Sequence, residues 1–498
     1  MSQFLIKSFF YTIAPIYRQF IRDLAQPNVA QNKVKNRVIQ RLAKTAYGST
    51  LKVRNLDDWQ QIPIVDYDAI EPWITQQRQQ PSASILTPEK IHFWECTSGS
   101  TGPKKWIPYT TSLLGSFSKM FCIWANDLNR DRPGFSTYKS YLCISPDIGT
   151  DIQGRDDLAY VHPYLRWVLD RFIVRVQGSF PTVDEFRWTL ALALLETADL
   201  EIFSLWSPSF LTTQLDFIQA HRQVLQNALK NKMSSNRLKL LAEPDIPWSQ
   251  IWPELKLISC WDRQDAADRA KGLQQYFPEV FIQGKGLLAT EAPMTIPLIP
   301  AAGFVPLVNQ VVLEFLDPQG QVRDLTELEF GVTYELVISQ LGGLSRYKIG
   351  DRVEVSHWYF NTPCLNFVGR GDEVSDLVGE KLTVGFVTEC LNQLGYLEWG
   401  FCCLVPVLND IPHYCLLLEQ SPETPETITR QLEEVLQTNV HYHRARQFGQ
   451  LGSLEAIVHK DAIQCFQRGK RLGDAKYPIL AIEPFKGEIW ERNPDLQR

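Results

Sequence analysis

The spacing of apolar positions changes several times along the chain. In the segment 33–45, "KVKNRVIQRLAKT", Val34, Val38 and Leu42 recur at helical spacing and predict one buried helix face. The first 24 residues, "MSQFLIKSFFYTIAPIYRQFIRDL", are apolar and aromatic, but Lys7, Pro15, Arg18 and Arg22 interrupt them. A membrane span needs about 20 unbroken apolar residues, and no small-residue cleavage site follows. The expectation is an amphipathic helix packed on the body rather than an anchor. "DDWQQIPIVDYDAIEPWI" reads as a loop and a helix. Residues 185–230 read as helices broken by a short strand, "EIFSLW". "WPELKLISCW" has strand length, and "EVFIQGKGLLATEA" predicts two buried strands turning at Gly284–Gly286.

From about 300 to 368 the period shortens to two. "VVLEFLD", "YELVIS", "RVEVSH" and "LNFVG" are short alternating strands, which predicts an antiparallel, barrel-like subdomain. Beyond it, "FCCLVPVL" and "HYCLLLEQ" read as strands. "TPETITRQLEEVLQTNV" reads as a helix with Thr424 as N-cap, Pro425 at its first position, and Ile428, Leu432, Val435 and Leu436 on one face. The expected fold class is α/β. A large N-terminal domain at 1–368 includes the barrel-like part. A hinge follows at 369–376, and then a smaller α+β cap domain at 377–498.

Composition narrows the function classes. At 498 residues the chain is too long for one simple core. With 44% hydrophobic and 21% charged residues it is globular rather than disordered. The net charge of −6, with no basic block, gives no footprint for nucleic acid. The ten cysteines are scattered, without a CxxC, which reads as reduced thiols in a cytoplasmic enzyme. His441 and His443 lie two apart in a predicted helix, so they face different ways and do not make a metal site together.

The candidate chemistry begins at 96–105, "CTSGSTGPKK". It is not a Walker A loop, because Gly99 and Gly102 are separated by two residues rather than four. Its parts still suit phosphate. Two glycines let backbone amides converge on an oxyanion. Ser98, Ser100 and Thr101 add hydroxyls, and Lys104 and Lys105 add charge. On composition alone, a plain surface turn is as good a reading. "LLATEAP" sets Thr290 and Glu291 just after an apolar strand, where ligands sit in open α/β sheets. A carboxylate there can hold Mg²⁺; a helix-start cap is the alternative. "SRYKIGDRVEV" places Asp351 in an expected turn between strands. One carboxylate there can accept from both hydroxyls of a ribose, and an Asx-turn is the alternative. "FVGRGDEVSDLVGEKL" puts Arg370 and Asp372 at the domain boundary.

In this order the four stretches resemble the acyl-adenylate-forming superfamily. The branch that the chain most resembles is the acyl acid amido synthetases, the family of the plant auxin- and jasmonate-conjugating enzymes. "IPIVDYDAIEPWI", "SGSTGPKKWIPYT", "YELVISQLGGLSRYKIGDRVEV" and, more weakly, "GDAKYP" carry the likeness, which runs from about 60 to 480. It implies an ATP- and Mg²⁺-dependent ligase. A carboxylate attacks the α-phosphorus of ATP, giving acyl-adenylate and pyrophosphate; an amine, usually of an amino acid, then displaces AMP. The implied partners are a small carboxylic acid and an amine, with no nucleic acid and no membrane insertion. The oligomeric state is not implied.

By the same resemblance Ser98, Gly99, Ser100, Thr101 and Lys105 would hold phosphates. Thr290 would serve the α-phosphate and Glu291 the Mg²⁺. Asp351 would bind ribose with Tyr347, and Arg370 would lie beside the nucleotide. Asp372 would be the pivot and Lys476 the catalytic lysine of the C-terminal domain. The chain departs from the family's Gly-Gln-x-Lys-x-Pro-Arg motif: Asp474 stands for Gln and Ile479 for Arg, which makes Lys470 a competitor. The same residues would also fit a thiol acceptor such as coenzyme A, or a nucleotide-binding homologue without turnover. Trp206, Phe210 and Leu211 are candidates for the acid pocket, with a core role the commoner fate of such residues.

Overall fold

The computed structural model describes residues 2–96, 105–132, 134–143, 166, 169–176, 180, 182–206, 208–262, 267–370, 374–375, 377–378, 380, 382–395, 400–409, 411–421, 423–447, 450–460, 462, 478–482 and 485–486. The chain forms two compact units, the first running to Val368 and the second from Gly369.

In the first unit, α1 (Ser2–Leu24) packs along α5 (Thr111–Asp131) and buries Ile13, Tyr17, Phe20 and Leu24. Its apolar face is therefore occupied by protein. Among the described residues no helix is long and apolar enough to cross a membrane. Helix α2 (Pro27–Leu42) starts with Pro27 in its first turn and buries Val34, Val38 and Leu42, the stripe its spacing requires. The short α3 (Ala46–Thr50) and then α4 (Tyr67–Gln79) follow, the latter capped by the Asp66 side chain on the Ala69 amide.

Four parallel strands make the first sheet: β3 (Ser140–Leu142), β4 (Ile202–Ser204), β5 (Leu257–Cys260) and β6 (Phe281–Gly284), in that order. Apart from Phe281 and Ile282, β4 to β6 are buried throughout, as strands covered on both faces should be. The helices Val183–Glu196, Pro208–Ala220 and Ala267–Tyr276 alternate with these strands in the chain.

The two-residue strands β7 (Leu288–Ala289) and β8 (Ala292–Pro293) pair with each other, and β9 (Thr295–Leu298) pairs with β10 (Gly303–Pro306). The period-two region forms one antiparallel sheet. It contains β11 (Val312–Leu316), β12 (Val322–Asp324), β13 (Thr333–Ser339), β14 (Tyr347–Tyr359) and β15 (Thr362–Arg370), in the order β12-β11-β13-β14-β15. Its inward residues join those of α2, α4 and α5 in one core, so the segments that flank the candidate motifs rest on a common base.

The second unit is α+β. After the short pair β16 (Val374–Ser375) and β17 (Leu382–Thr383) come β18 (Cys402–Leu408), β19 (His413–Leu418), β20 (Glu455–Val458) and β21 (Phe485–Lys486). The last four form one sheet in the order β20-β19-β18-β21. The helix Pro425–Leu436 has Thr424 as N-cap and buries Ile428, Leu432 and Leu436, with Val435 half-buried, as its pattern requires. Glu380 is fully buried here. It accepts from the Leu377 and Val378 amides and from the Tyr414 hydroxyl at 2.5 Å, so the segment after β16 is fastened to β19. The fold is thus mixed α/β, with a large N-terminal part and a smaller C-terminal one.

Candidate active site

The Ser/Thr/Gly-rich stretch connects two strands of a hairpin. Strand β1 (Ile91–Cys96) pairs antiparallel with β2 (Trp106–Thr110), and Cys96 lies opposite Trp106. Ser98, Gly99, Ser100, Thr101 and Lys104 fall outside the described residues. The base of the hairpin is firmly held. The Tyr67 hydroxyl of α4 accepts from the Trp106 amide at 2.8 Å, and the Arg78 guanidinium lies 4.1 Å from the Trp106 ring centroid. Lys105, the described lysine of the motif, has its ammonium 5.7 Å from the centroid of the Tyr67 ring. On the other side, Thr110 caps α5 through the Leu113 amide.

Thr290 and Glu291 are the two central residues of a tight turn, because Ala289 pairs with Ala292 and Leu288 with Pro293. No helix starts there, so the helix-cap alternative is gone. The approach to the turn is fixed by Gly286, whose φ of +77° and close fit against the Thr295 side chain leave no room for a Cβ. Thr295 Oγ1 in turn accepts from the Leu287 amide. Glu291 is buried, with 8% of its surface exposed. Tyr109, stacked between Phe93 and Phe117, donates its hydroxyl to the Thr290 carbonyl at 2.7 Å. That bond brings the hairpin of the first motif to the turn of the second.

The third motif differs from the sequence expectation. Asp351 is not in a turn between strands; it lies inside β14, which begins at Tyr347. Pairing is regular at Val337–Lys348 and again at Glu335–Arg352. Three residues, Ile349 to Asp351, therefore oppose Leu336 alone. The extra residues make a bulge, and Gly350 takes a φ of +86° to turn it. A bulge re-aims side chains, and here it sets the orientation of Asp351, which is 4% exposed. Tyr347 is buried against the first unit's core and bridges to Val65.

The residue before Tyr347 was not singled out in the sequence, although it holds the motif's backbone. Arg346 has a left-handed φ of +46°. Its guanidinium is 3.1 Å from the Glu314 carboxylate and donates to the Ile62 carbonyl at 2.8 Å, while its amide donates to Ser339 Oγ at 2.7 Å. Trp59 Nε1 donates to the other oxygen of Glu314. Both charges are almost fully buried, so each depends on the other.

Arg370 ends β15 by its backbone, and nothing is described of its side chain; Asp372, Lys470 and Lys476 lie outside the described residues. Of the acid-pocket candidates, Phe210 and Leu211 are buried in the helix Pro208–Ala220, and Phe210 stacks on Tyr141. Trp206 differs: it is 39% exposed at the C-terminal end of β4. A residue with no assigned role meets it there, since the Lys285 ammonium lies 5.3 Å from its ring centroid. The "GKG" after an apolar strand was the signal for this lysine.

For Mg²⁺, no cluster of three or more His, Cys, Asp or Glu residues stands among the described residues. Mg²⁺ bound with a nucleotide needs only one or two carboxylates, since phosphates and water complete its six oxygens. Glu291, buried on a rigid two-residue turn, fits that requirement.

Three family models match the chain. They are described as the GH3 family N-terminal domain at residues 16–282, the GH3 family central domain at 303–370 and the GH3 family C-terminal domain at 386–484. The jasmonoyl–L-amino acid synthetase GH3.5 of Oryza sativa subsp. japonica is 33% identical over 473 residues, covering 80% of this chain and 81% of that protein. The indole-3-acetic acid-amido synthetase GH3.3 of Arabidopsis thaliana is 21% identical over 421 residues, covering 73% and 71%. Two further curated relatives are matched over only 42% and 30% of their own lengths. Among solved structures, the GH3.15 acyl acid amido synthetase in complex with 2,4-DB superposes with a TM-score of 0.77 at 19% identity, covering 93% of each chain.

Proposed function

Because this chain belongs to the GH3 family, we propose that it is an AMP-forming ligase that joins a carboxylic acid to an amine, most simply an amino acid. The acid is activated by ATP. Its carboxylate oxygen bonds to the α-phosphorus while the bond to pyrophosphate breaks. The amine nitrogen then bonds to the acyl carbon, AMP leaves, and the amine gives up a proton. The reading is carried by the Tyr109–Thr290 hydrogen bond, which joins two of the motifs that the chemistry requires across 181 residues of chain.

The roles follow from charge. Bringing a carboxylate to a triphosphate places like charges together, and fixed donors and cations offset that cost. Ser98, Gly99, Ser100, Thr101 and Lys105 hold the β- and γ-phosphates on their hairpin. Thr290 serves the α-phosphate. Glu291 holds Mg²⁺, which when bound neutralises charge on the phosphates. Asp351 accepts from the ribose hydroxyls beside Tyr347, and Arg370 lies by the nucleotide. In this reading 1–368 is the adenylation domain, with its barrel-like part at 300–368. Residues 369–376, with Asp372, form the pivot, and 377–498 is the cap domain that supplies Lys476. The setting is cytoplasmic.

The test is a pyrophosphate-release screen of carboxylic acids with Mg-ATP. The active acid is then paired with amino acids, and the products are weighed by mass spectrometry. AMP and an amide are expected. ADP and phosphate with a responsive acid would end the adenylation reading, and a thioester in place of an amide would end the amine assignment.

A further inference from the structure

Strands β4, β5 and β6 end side by side, and in a parallel sheet the C-terminal edge is where ligands bind. Lys285 follows β6 directly and reaches back across the end of β5. Its ammonium donates to Ser204 Oγ, the last residue of β4, at 2.6 Å. The same ammonium lies 5.3 Å from the ring centroid of Trp206, which stands two residues further along. Ser204 is buried, Lys285 is half-buried and Trp206 is exposed, so the group grades from protein interior to an open aromatic face. The Trp206 backbone is held there, because its carbonyl accepts from the Trp261 amide at 3.0 Å. Five residues after Lys285 comes Thr290. A cation on an aromatic plate, at the C-terminal edge of the sheet, is suited to a ligand with an anionic group and a flat apolar body.

We propose that Lys285 and Trp206 form the receiving site for the acid substrate, with the carboxylate on the Lys285 ammonium and the apolar body against the Trp206 ring. The inference takes from the ligase reading only that a carboxylic acid is a substrate. Lys285 is then a binding residue that offsets charge on the carboxylate, and Ser204 positions it. A charge-assisted hydrogen bond of this kind makes a difference of about ten- to a hundredfold in affinity.

The probes are benzoate, benzamide, which keeps the ring and lacks the charge, and cyclohexanecarboxylate, which keeps the charge and lacks the flat face. Dissociation constants are measured on the full chain by ligand-observed NMR titration, without ATP. Wild type is expected to prefer benzoate to both others. Lys285→Met should weaken benzoate by about tenfold or more and erase its advantage over benzamide. Trp206→Leu should erase its advantage over cyclohexanecarboxylate. Lys285→Gln serves in place of the Met variant if thermal melting shows that one misfolded. In the pyrophosphate assay the KM for the acid should rise while the KM for ATP stays put. The proposal is overturned if the lysine variants bind benzoate like wild type, if the KM for ATP rises instead, or if wild type does not distinguish benzoate from benzamide. If wild type releases no pyrophosphate with any acid, the ligase reading fails, while the titration still decides the fate of Lys285.

Discussion

The Tyr109 hydroxyl donates to the backbone carbonyl of Thr290 at 2.7 Å. Tyr109 is 1% exposed and belongs to the hairpin that carries the Ser/Thr/Gly-rich loop; Thr290 turns the β7–β8 hairpin. The bond fixes the distance between two elements that, in the proposed function, hold one triphosphate.

Tyr109→Phe tests that relationship. The ring stays stacked on Phe93 and Phe117, and only the hydroxyl is lost. A hydrogen bond of this type contributes about 1 kcal/mol, so the thermal midpoint should fall by a few degrees at most. The adenylation rate should fall further than that loss implies, by about tenfold, because misplacement of a reacting group multiplies its cost. Melting and pyrophosphate release on the same preparations decide it. Equal, small losses in both would make Tyr109 a structural tyrosine only.

Asp351 should show the opposite balance. It sits in a bulge on a strand that the core already holds, so Asp351→Ala should leave the fold standing. If Asp351 holds the ribose as proposed, losing those charge-assisted bonds weakens ATP by about ten- to a hundredfold. Asp351→Asn, which keeps one acceptor, should fall between. Calorimetric titration with ATP measures both, and an affinity within threefold of wild type for the alanine variant would remove Asp351 from the nucleotide site.

Much of this architecture was readable because it follows local periodicity. The buried face of α2 and the buried stripe of Pro425–Leu436 came out as the spacing of their leucines, valines and isoleucines predicts. Asp351 was misplaced for a reason that is also physical. Gly-Asp is a turn signal when read locally, but the bulge exists only because Ile349 to Asp351 face Leu336 on another strand. The Arg346–Glu314 pair, the Tyr109–Thr290 bond and the Lys285–Ser204 contact were invisible for the same reason. Each joins residues from separate elements that carry no local mark of the other.

Asp127 gives a pH prediction. It is fully buried on α5, where it accepts from the Ile299 amide at 2.9 Å and from the Tyr17 hydroxyl at 3.3 Å. Burial, with Asp131 adding to it, pushes its carboxyl up to about 6; the Ile299 and Tyr17 bonds and Arg130 pull the other way without cancelling it. A carboxyl raised in the fold favours the protonated state. Its contribution is fully present below the unfolded value of 3.8 and is lost as pH rises through about 6. At about 1.4 kcal/mol per unit, the loss is on the order of 2–3 kcal/mol. Asp127→Asn keeps an acceptor for Ile299 and never ionises. Its thermal midpoint relative to wild type should therefore climb between about pH 4 and 6 and level off above. A difference that stays flat across that range would show that the burial penalty is not felt.

The last prediction concerns Arg346 and Glu314, whose side chains are 4% and 1% exposed. Desolvating two charges is costly, and their attraction roughly offsets it; removing one partner leaves the other buried without compensation. Arg346→Met and Glu314→Met should each destabilise the first unit by about 3–5 kcal/mol. The double variant should recover part of that loss, since an apolar pair of similar length pays no desolvation. What it should not recover is nucleotide binding. Arg346 holds a left-handed φ, which costs a non-glycine residue about 1 kcal/mol or more and persists only where the surroundings enforce it. Its bonds to Glu314, Ile62 and Ser339 supply that enforcement one residue before Tyr347 and five before Asp351. With the guanidinium gone, the bonds to Glu314 and Ile62 are lost and only the amide bond to Ser339 still opposes relaxation toward negative φ, which would shift the bulge. The double variant should therefore melt closer to wild type than either single variant does, yet bind ATP as weakly as Arg346→Met. If stability and ATP affinity return together, the pair holds the fold and has no part in aiming Asp351.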